Sequence, residues 1–434
     1  MKEPLVKIVK DFLFTYSQGE KPVLLGFSGG VDSTALLSIL LECSSFFSVD
    51  LRVIHFDHAW REESAKQVLE LKNKVESLGL KFYSRRSSQT VWKESNKEEK
   101  ARDERFSFFE EVYKEVGAQA LILAHQREDL AETVLKRFCE GAGILSLGGM
   151  QPKSYYQEMT LWRPLLSISR EKLLEWNEKK NLMALIDSTN QDLQFLRPRM
   201  RQKIFPELEK WFGKGVQKSI ASLGEEFSLL KTHMKERLRP FLDQKVEGPL
   251  GFVLFSTVFS SLDPFERQEL IRSCLQGRDV QVGREAVRLI DSLLSSGSFD
   301  KKVNVSRGEI IIDQGNLFWL AKAKEDSWEW EITNGPCKTL PETLLHAFFS
   351  GEIPCRVSKE DEMLLCDYAS LESKDRKKAI SFFSQNKIPA TMRKLFPFIK
   401  KNGSVIDFSF LINKSLFIEQ NEGNLNIKLK NISN

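Results

Sequence analysis

Two adjacent glycines, Gly29 and Gly30, stand between an apolar run and a helix-like run, and together they restrict the start of the chain to one local shape. The apolar run is Pro22-Val23-Leu24-Leu25-Gly26, the helix-like run is Thr34 to Leu41, and Phe27-Ser28-Gly29-Gly30-Val31-Asp32-Ser33 joins them. This reads as a strand, a tight turn and a helix start. Paired glycines let the backbone bend and approach a ligand closely. Ser28, Asp32, Ser33 and Thr34 favour helix N-termini, where free N–H groups and the positive dipole end receive an anion. A turn of successive N–H groups adds a second anion-binding concavity. Ser28, Gly29, Gly30, Val31, Asp32 and Ser33 are therefore expected to cradle phosphate. No lysine follows the glycines, so this is not a Walker A loop, and the spacing is not that of a dinucleotide fingerprint. Ser295-Ser296-Gly297-Ser298 has similar composition but follows a helix-like run without paired glycines, and reads as a plain loop.

The surrounding pattern fits an α/β domain. Strand candidates are Val23–Phe27, Leu51–Phe56, Lys81–Ser84 and Ala120–Ala124. Helix candidates are Asp32–Cys43, Glu62–Leu78, Lys97–Val116 and Glu128–Phe138. Strand then helix, four times over, predicts a doubly wound parallel sheet. Ligands of such sheets sit at the carboxyl ends of the strands, and Ser28, His55 and His125 all fall at or near those ends. Glycine- and proline-rich punctuation from Gly141 to Pro152 closes the block. A second stretch runs from Leu161 to about Phe212, with a helix from Ser169 and a polar loop at Asp187-Ser188-Thr189-Asn190. Residues 213–320 read as mostly helical, with Asp263-Pro264 as a helix start and strands at Ile310–Ile312 and Leu317–Leu320. The last hundred residues carry strand-like runs and one basic helix.

At 434 residues the chain exceeds a single core. The expected domains are 1–212, the α/β domain that carries the phosphate-cradling turn; 213–330, a mainly helical domain; and 336–434, a small α+β domain. No apolar run approaches membrane-span length, and the N-terminus lacks a secretory pattern. The six cysteines are scattered and form no C-x-x-C. That argues against a thiol redox site, a zinc knuckle or an iron–sulfur cluster, and predicts a reducing cytoplasm.

A second chemical cluster lies in His125-Gln126-Arg127-Glu128-Asp129-Leu130-Ala131-Glu132-Thr133, which runs from a strand end into a helix. The dipole favours carboxylates in the first turns. Asp129, Glu132 and Thr133 share one helix face, where a carboxylate pair can bind an amine, hold a metal or accept a proton. Simple capping by acids explains the same residues when they are taken alone.

The Ser-Gly-Gly-x-Asp-Ser string resembles the signature of the PP-loop ATP pyrophosphatases, which split ATP into AMP and pyrophosphate. Over most of its length the chain is similar to the tRNA(Ile)-lysidine synthetases, cytoplasmic bacterial members of that group. The resemblance rests on an ordered series of segments. These are Ser28–Ser33; His55-Phe56-Asp57-His58-Ala59-Trp60-Arg61 with Glu62-Glu63-Ser64; Ala101-Arg102-Asp103-Glu104-Arg105-Phe106; His125–Thr133 with Gly141-Ala142-Gly143; Arg163-Pro164-Leu165-Leu166; Asp187–Asn190; and Arg197–Arg201. Four positions depart from the family pattern: Gln126 for a second His, Glu128 for the first Asp of a pair, Leu130 for a Gln, and Pro198 within Asn-Arg-x-Arg.

The resemblance implies that ATP adenylates O2 of the cytidine at the first anticodon position (C34) of tRNA(Ile) with anticodon CAU. The lysine ε-amine then attacks C2, AMP leaves, and codon reading moves from AUG to AUA. Asp129 and Glu132 are the expected amine contacts, with a general-base role. Asp32 is expected beside the phosphates, through Mg²⁺, and Ser28, Gly29, Gly30 and Ser33 around pyrophosphate. His55 and His125 are further expected nucleotide contacts. Arg197 and Arg201 are expected to meet phosphate or the lysine carboxylate, Arg201 also tRNA. Two other readings remain, a PP-loop tRNA thiolase and a nucleotide-regulated RNA-binding protein without turnover. Thiolases need cysteines that this chain does not present in C-x-x-C form, and amidotransferase relatives carry an N-terminal cysteine nucleophile where Met1 is here followed by Lys2.

Affinity for tRNA is expected to come from phosphate contacts. The net charge is only +4, but residues 374–401 hold nine basic residues against one acid, Asp375. Lys377, Lys378, Arg393 and Lys394 are the expected tRNA contacts there, interleaved with Phe382, Phe383, Phe396 and Phe398.

Overall fold

A computed structural model describes residues 3–44, 49–59, 64–87, 97–185, 193–276, 280, 282–321, 328–334, 348–349, 352–356, 363–366, 371–386, 388–396, 398–401, 404–405 and 424–431. The chain divides into two compact units, Met1–His233 and Met234–Asn434.

The first unit is built on a six-stranded sheet. Its strands are β1 (Val23–Gly26), β2 (Leu51–Asp57), β3 (Lys81–Arg86), β4 (Ala120–Leu123), β5 (Lys153–Tyr156) and β6 (Met159–Trp162), in the order β3-β2-β1-β4-β6-β5. All neighbours are parallel except the edge pair β5–β6. Both faces are covered, which is why the central strands read as continuous apolar runs. On one face, Val23, Leu25, Val53 and Ile122 pack with α1 (Pro4–Tyr16), α2 (Val31–Cys43) and α3 (Ser64–Ser77). On the other, Leu24, Ile54 and Leu121 pack against Phe106, Phe109 and Val112 of α4 (Lys97–Val116). The doubly wound α/β fold expected from the sequence is therefore present. The β5–β6 hairpin was not expected; it adds a strand pair inside the stretch read as the end of the block.

Beyond the sheet lie α5 (Arg127–Cys139), α6 (Arg170–Lys179), α7 (Leu196–Arg199), α8 (Phe205–Phe212) and α9 (Val216–Leu242). A π-turn over Met200–Ile204 joins α7 to α8. Leu130, Ala131 and Val134 of α5 share a core with Met200, Phe205 and Ala221, which fixes this helical run against α5.

The second unit contains a five-stranded antiparallel sheet between Val246 and Ala321, helices Pro264–Gln276 and Arg284–Ser295, and two three-stranded antiparallel sheets. The stretch expected to be mainly helical thus also carries five strands. No helix among the described residues is long and apolar enough to cross a membrane.

Candidate active site

The order of connection reverses between β1 and β4, and their carboxyl ends open a crevice there, the position where doubly wound sheets bind ligands. A cavity of about 730 Å³ occupies it, lined by the Ser28–Ser33 turn, by His125 after β4, and by Arg197, Pro198 and Arg201 from α7 and the π-turn.

The turn is held by its own hydroxyls and by contacts from Leu185 and Asn177. Gly29 has φ +77°, and a Cβ there would lie 2.8 Å from Leu71 Cδ2 and 2.9 Å from Leu185 Cδ1. Its carbonyl accepts from the Leu185 N–H at 2.8 Å and from the Thr34 hydroxyl at 3.1 Å. The Ser28 and Ser33 hydroxyls lie 3.1 Å apart, and Ser33 Oγ donates to the Gly30 carbonyl at 3.1 Å. The first-turn N–H groups of α2 therefore start at a glycine cap facing the cavity. Asn177 of α6 donates to the Val31 carbonyl at 3.0 Å and ties this end of α2 in place. Gly29→Ala is expected to destabilise the protein by about 1–3 kcal/mol through the left-handed backbone and the clash, and to weaken ATP binding. Thermal unfolding and ATP titration check both.

Asp32, in the first turn of α2, has a buried Oδ1 that finds no hydrogen-bond partner among the described residues. Burial, then the Asp129 charge, raises its carboxyl to about 6. A lone buried carboxylate oxygen at a phosphate loop fits a divalent cation, because Mg²⁺ is bound through one or two carboxylates plus substrate phosphates.

Asp129 and Glu132 form the opposite charge centre. Gln126 caps α5: its side chain accepts from Glu128 N–H at 2.6 Å, while Asp129 Oδ2 accepts from Gln126 N–H at 3.0 Å. Arg201 bridges the two acids, donating from Nε to Glu132 Oε1 at 2.5 Å and from Nη2 to Asp129 Oδ1 at 2.6 Å. Arg197 lies 4.0 Å from Glu132 Oε2. Glu132 is 2% exposed, and burial raises its carboxyl although Arg201 pairs with it.

The histidines separate. His125 lines the cavity, and Arg163 Nε donates to its Nδ1 at 3.2 Å. A guanidinium only donates, so the ring proton sits on Nε2. Burial, then Arg163, holds the ring well below its usual range, which makes it a neutral donor. His55 is outside the cavity lining: its Nδ1 lies 2.7 Å from the Phe27 carbonyl, and burial lowers its pKa. It braces the end of β1.

The departures from the family pattern have structural places. Gln126 is the α5 cap. Glu128 accepts from the Arg170 N–H at 2.9 Å and holds the start of α6. Leu130 belongs to the α5 core, and Pro198 is buried in the cavity wall. Sequence reading gave no separate role to Arg105, Arg163, Arg170 or Asn177; only the Ala101–Phe106 and Arg163–Leu166 segments marked two of them.

In the second unit, Lys374, Arg376, Lys377 and Lys378 are exposed on the helix Ser373–Gln385. Arg393 is half-buried, its guanidinium carbon 5.8 Å from the Phe383 ring centroid. Phe383, Phe396 and Phe398 are buried core residues, not an exposed aromatic surface. The Lys394 side chain and Asp187–Asn190 lie outside the described residues.

A glycine phosphate turn at the switch point of a parallel sheet, with an acid in its first helical turn, defines a PP-loop nucleotide-binding domain. The model of that PP-loop domain family matches residues 1–208. Among curated relatives, the tRNA(Ile)-lysidine synthase of Protochlamydia amoebophila is 34% identical over 325 residues, covering 73% of this chain and 69% of its own. That of Chlamydia pneumoniae is 31% identical, covering 70% of this chain and 96% of its own. That of Chlamydia caviae is 36% identical, covering 54% and 72%. The chain belongs to the tRNA(Ile)-lysidine synthase family.

Proposed function

We propose that the chain joins L-lysine to C2 of C34 in tRNA(Ile) with anticodon CAU, consuming ATP and releasing AMP and diphosphate. The observation that carries this reading is that one crevice is lined both by the Ser28–Ser33 turn and by Arg201, the side-chain cation that pairs with the buried carboxylates Asp129 and Glu132. Family membership supports tRNA(Ile) as the nucleic-acid substrate.

The geometry supports the following division of labour. Ser28, Gly29, Gly30, Val31 and Ser33 receive the phosphates through amide and hydroxyl donors. Asp32 would hold Mg²⁺, which would supply charge neutralisation on the phosphates. The Nε2–H of His125 offers a neutral donor beside them. The lysine ammonium, unperturbed near pKa 10.4, is not a nucleophile until it loses a proton. It enters between Asp129 and Glu132 in exchange for the Arg201 guanidinium, a cation of the same charge. Glu132, whose carboxyl is pushed up by burial, is the better-placed base of the pair. Arg197, and Arg201 once displaced, then face the phosphates or the lysine carboxylate.

The exposed Lys377 and Lys378 bind tRNA phosphates. Lys377→Gln with Lys378→Gln is expected to weaken tRNA binding severalfold and flatten its salt dependence, with ATP binding unchanged. An unchanged slope in filter binding across salt removes this surface. Arg393 packs on Phe383, so its substitution also perturbs the core and is the less clean test.

Incubation with ATP, radiolabelled lysine and the tRNA(Ile) transcript tests the reaction. Lysine incorporation with equimolar AMP is expected. Sulfur incorporation without lysine supports a thiolase instead, and absence of AMP supports a binding protein.

A further inference from the structure

Arg105 is left unexplained by the roles above. It projects from α4 into the cavity wall, its Nε is buried, and among the described residues that atom has no hydrogen-bond partner. No described carboxylate pairs with it. The charges that act on it are those of Arg102 and Arg197, both like its own, and with burial they push it down to about 10. Its guanidinium carbon lies 5.3 Å from the Phe106 ring centroid, and that of Arg102 lies 4.9 Å from the same ring.

Burying an arginine beside like charges is costly unless an anion completes the site. Arginine forks match phosphate geometry. The ATP phosphates already have the Ser28–Ser33 turn. Arg197 connects this basic group to Glu132, 4.0 Å away, so the group adjoins the place where the amine attacks. The acceptor base must reach that place, and it arrives attached to backbone phosphates. Phe195, half-buried, also lines the cavity, and an accessible aromatic face can stack an unpaired base. Chemistry on a base requires it out of its stack.

We propose that Arg105, flanked by Arg102 and Arg197, binds the backbone phosphate adjoining the target cytidine and so sets the depth to which the flipped nucleotide enters. The assignment rests on lysidine formation in this cavity.

Binding of the full chain to tRNA(Ile) transcripts tests it, each transcript carrying one neutral methylphosphonate, either 5′ or 3′ of C34. With wild-type protein, one of the two is expected to weaken binding about tenfold. Arg105→Gln is expected to bind native and methylphosphonate tRNA alike, with its salt slope reduced by about 0.7. Arg105→Lys is expected to recover most of that slope. ATP affinity and the lysine KM stay within twofold of wild type. Indifference of wild-type protein to both methylphosphonates overturns the proposal, and needs no variant to fold. A loss confined to ATP affinity reassigns Arg105 to the nucleotide, and a rise confined to the lysine KM reassigns it to the amino acid; either overturns the proposal. Failure of wild-type protein to incorporate lysine into native tRNA instead contradicts the underlying reaction, and is read separately from these affinities.

Discussion

Asp32→Asn is expected to lower AMP release at least about a hundredfold, the scale for removing one electrostatic contact to developing charge, while tRNA binding stays within twofold of wild type. The same variant is expected to be more stable than wild type at pH 8 when no ligand is bound. The Asp32 carboxyl is raised by burial and by Asp129 from 3.8 to about 6. The folded protein therefore binds a proton more tightly than the unfolded chain, and stability falls as pH rises from 3.8 through 6. At pH 8 the ionised carboxylate opposes folding by an amount on the order of 3 kcal/mol, which the amide removes. Below 3.8 both states are protonated and the advantage vanishes. Thermal unfolding at pH 4 and pH 8, beside an AMP-release assay, checks both halves. A variant that turns over normally, or gains nothing at pH 8, contradicts the role given to Asp32. Activity and stability pull in opposite directions here, as at other strained active sites.

Arg201→Met is expected to destabilise the protein by about 3–5 kcal/mol at pH 8, because it leaves Asp129 and Glu132 buried without their cation. The loss shrinks as pH falls. Two uncompensated acids raise each other's pKa, Glu132 is already raised, and protonation relieves the repulsion. Arg201→Met combined with Glu132→Gln is expected to cost less than the sum of the two changes, because the second removes the charge stranded by the first. Chemical denaturation of the four proteins at pH 8 and pH 5 supplies the comparison. Additive losses, or an Arg201→Met protein as stable as wild type, rule out the bridge as described. On the proposed reading this bridge also lets an empty amine site persist, because the protein supplies its own cation until the substrate's arrives.

The strand–glycine turn–helix start was legible because its information is local. A positive φ at Gly29, an acid at the helix start and a strand just before them all lie within a few residues. The parallel sheet was legible for a similar reason, since strands covered on both faces read as apolar runs. The β5–β6 hairpin was not. Its turn places Gln157 at φ +50° rather than using the glycine that marks such turns, and its outer strand is polar. His55 was found at a strand end, but β2 is buried on both faces over its last five residues, so alternation gave no direction for the ring. The Asp129–Glu132 face was visible as a helical spacing, whereas its partner Arg201 lies 69 residues beyond Glu132 and reaches it only because Met200 and Phe205 pack on α5. Gln126 and Glu128 look like lost functional groups in sequence. In the fold they are a helix cap and a clasp between helices.

The central claim is that adenylation of the cytidine and attack by the amine occur in sequence at one crevice. The most direct measurement uses ATP labelled in its α-phosphate, the tRNA(Ile) transcript and the full chain, first without lysine and then with it. Label is expected to enter tRNA in the absence of lysine and to leave as AMP when lysine is added, with lysine taking its place on C34. If label never enters tRNA, or if lysine fails to release it, the two-step account is wrong.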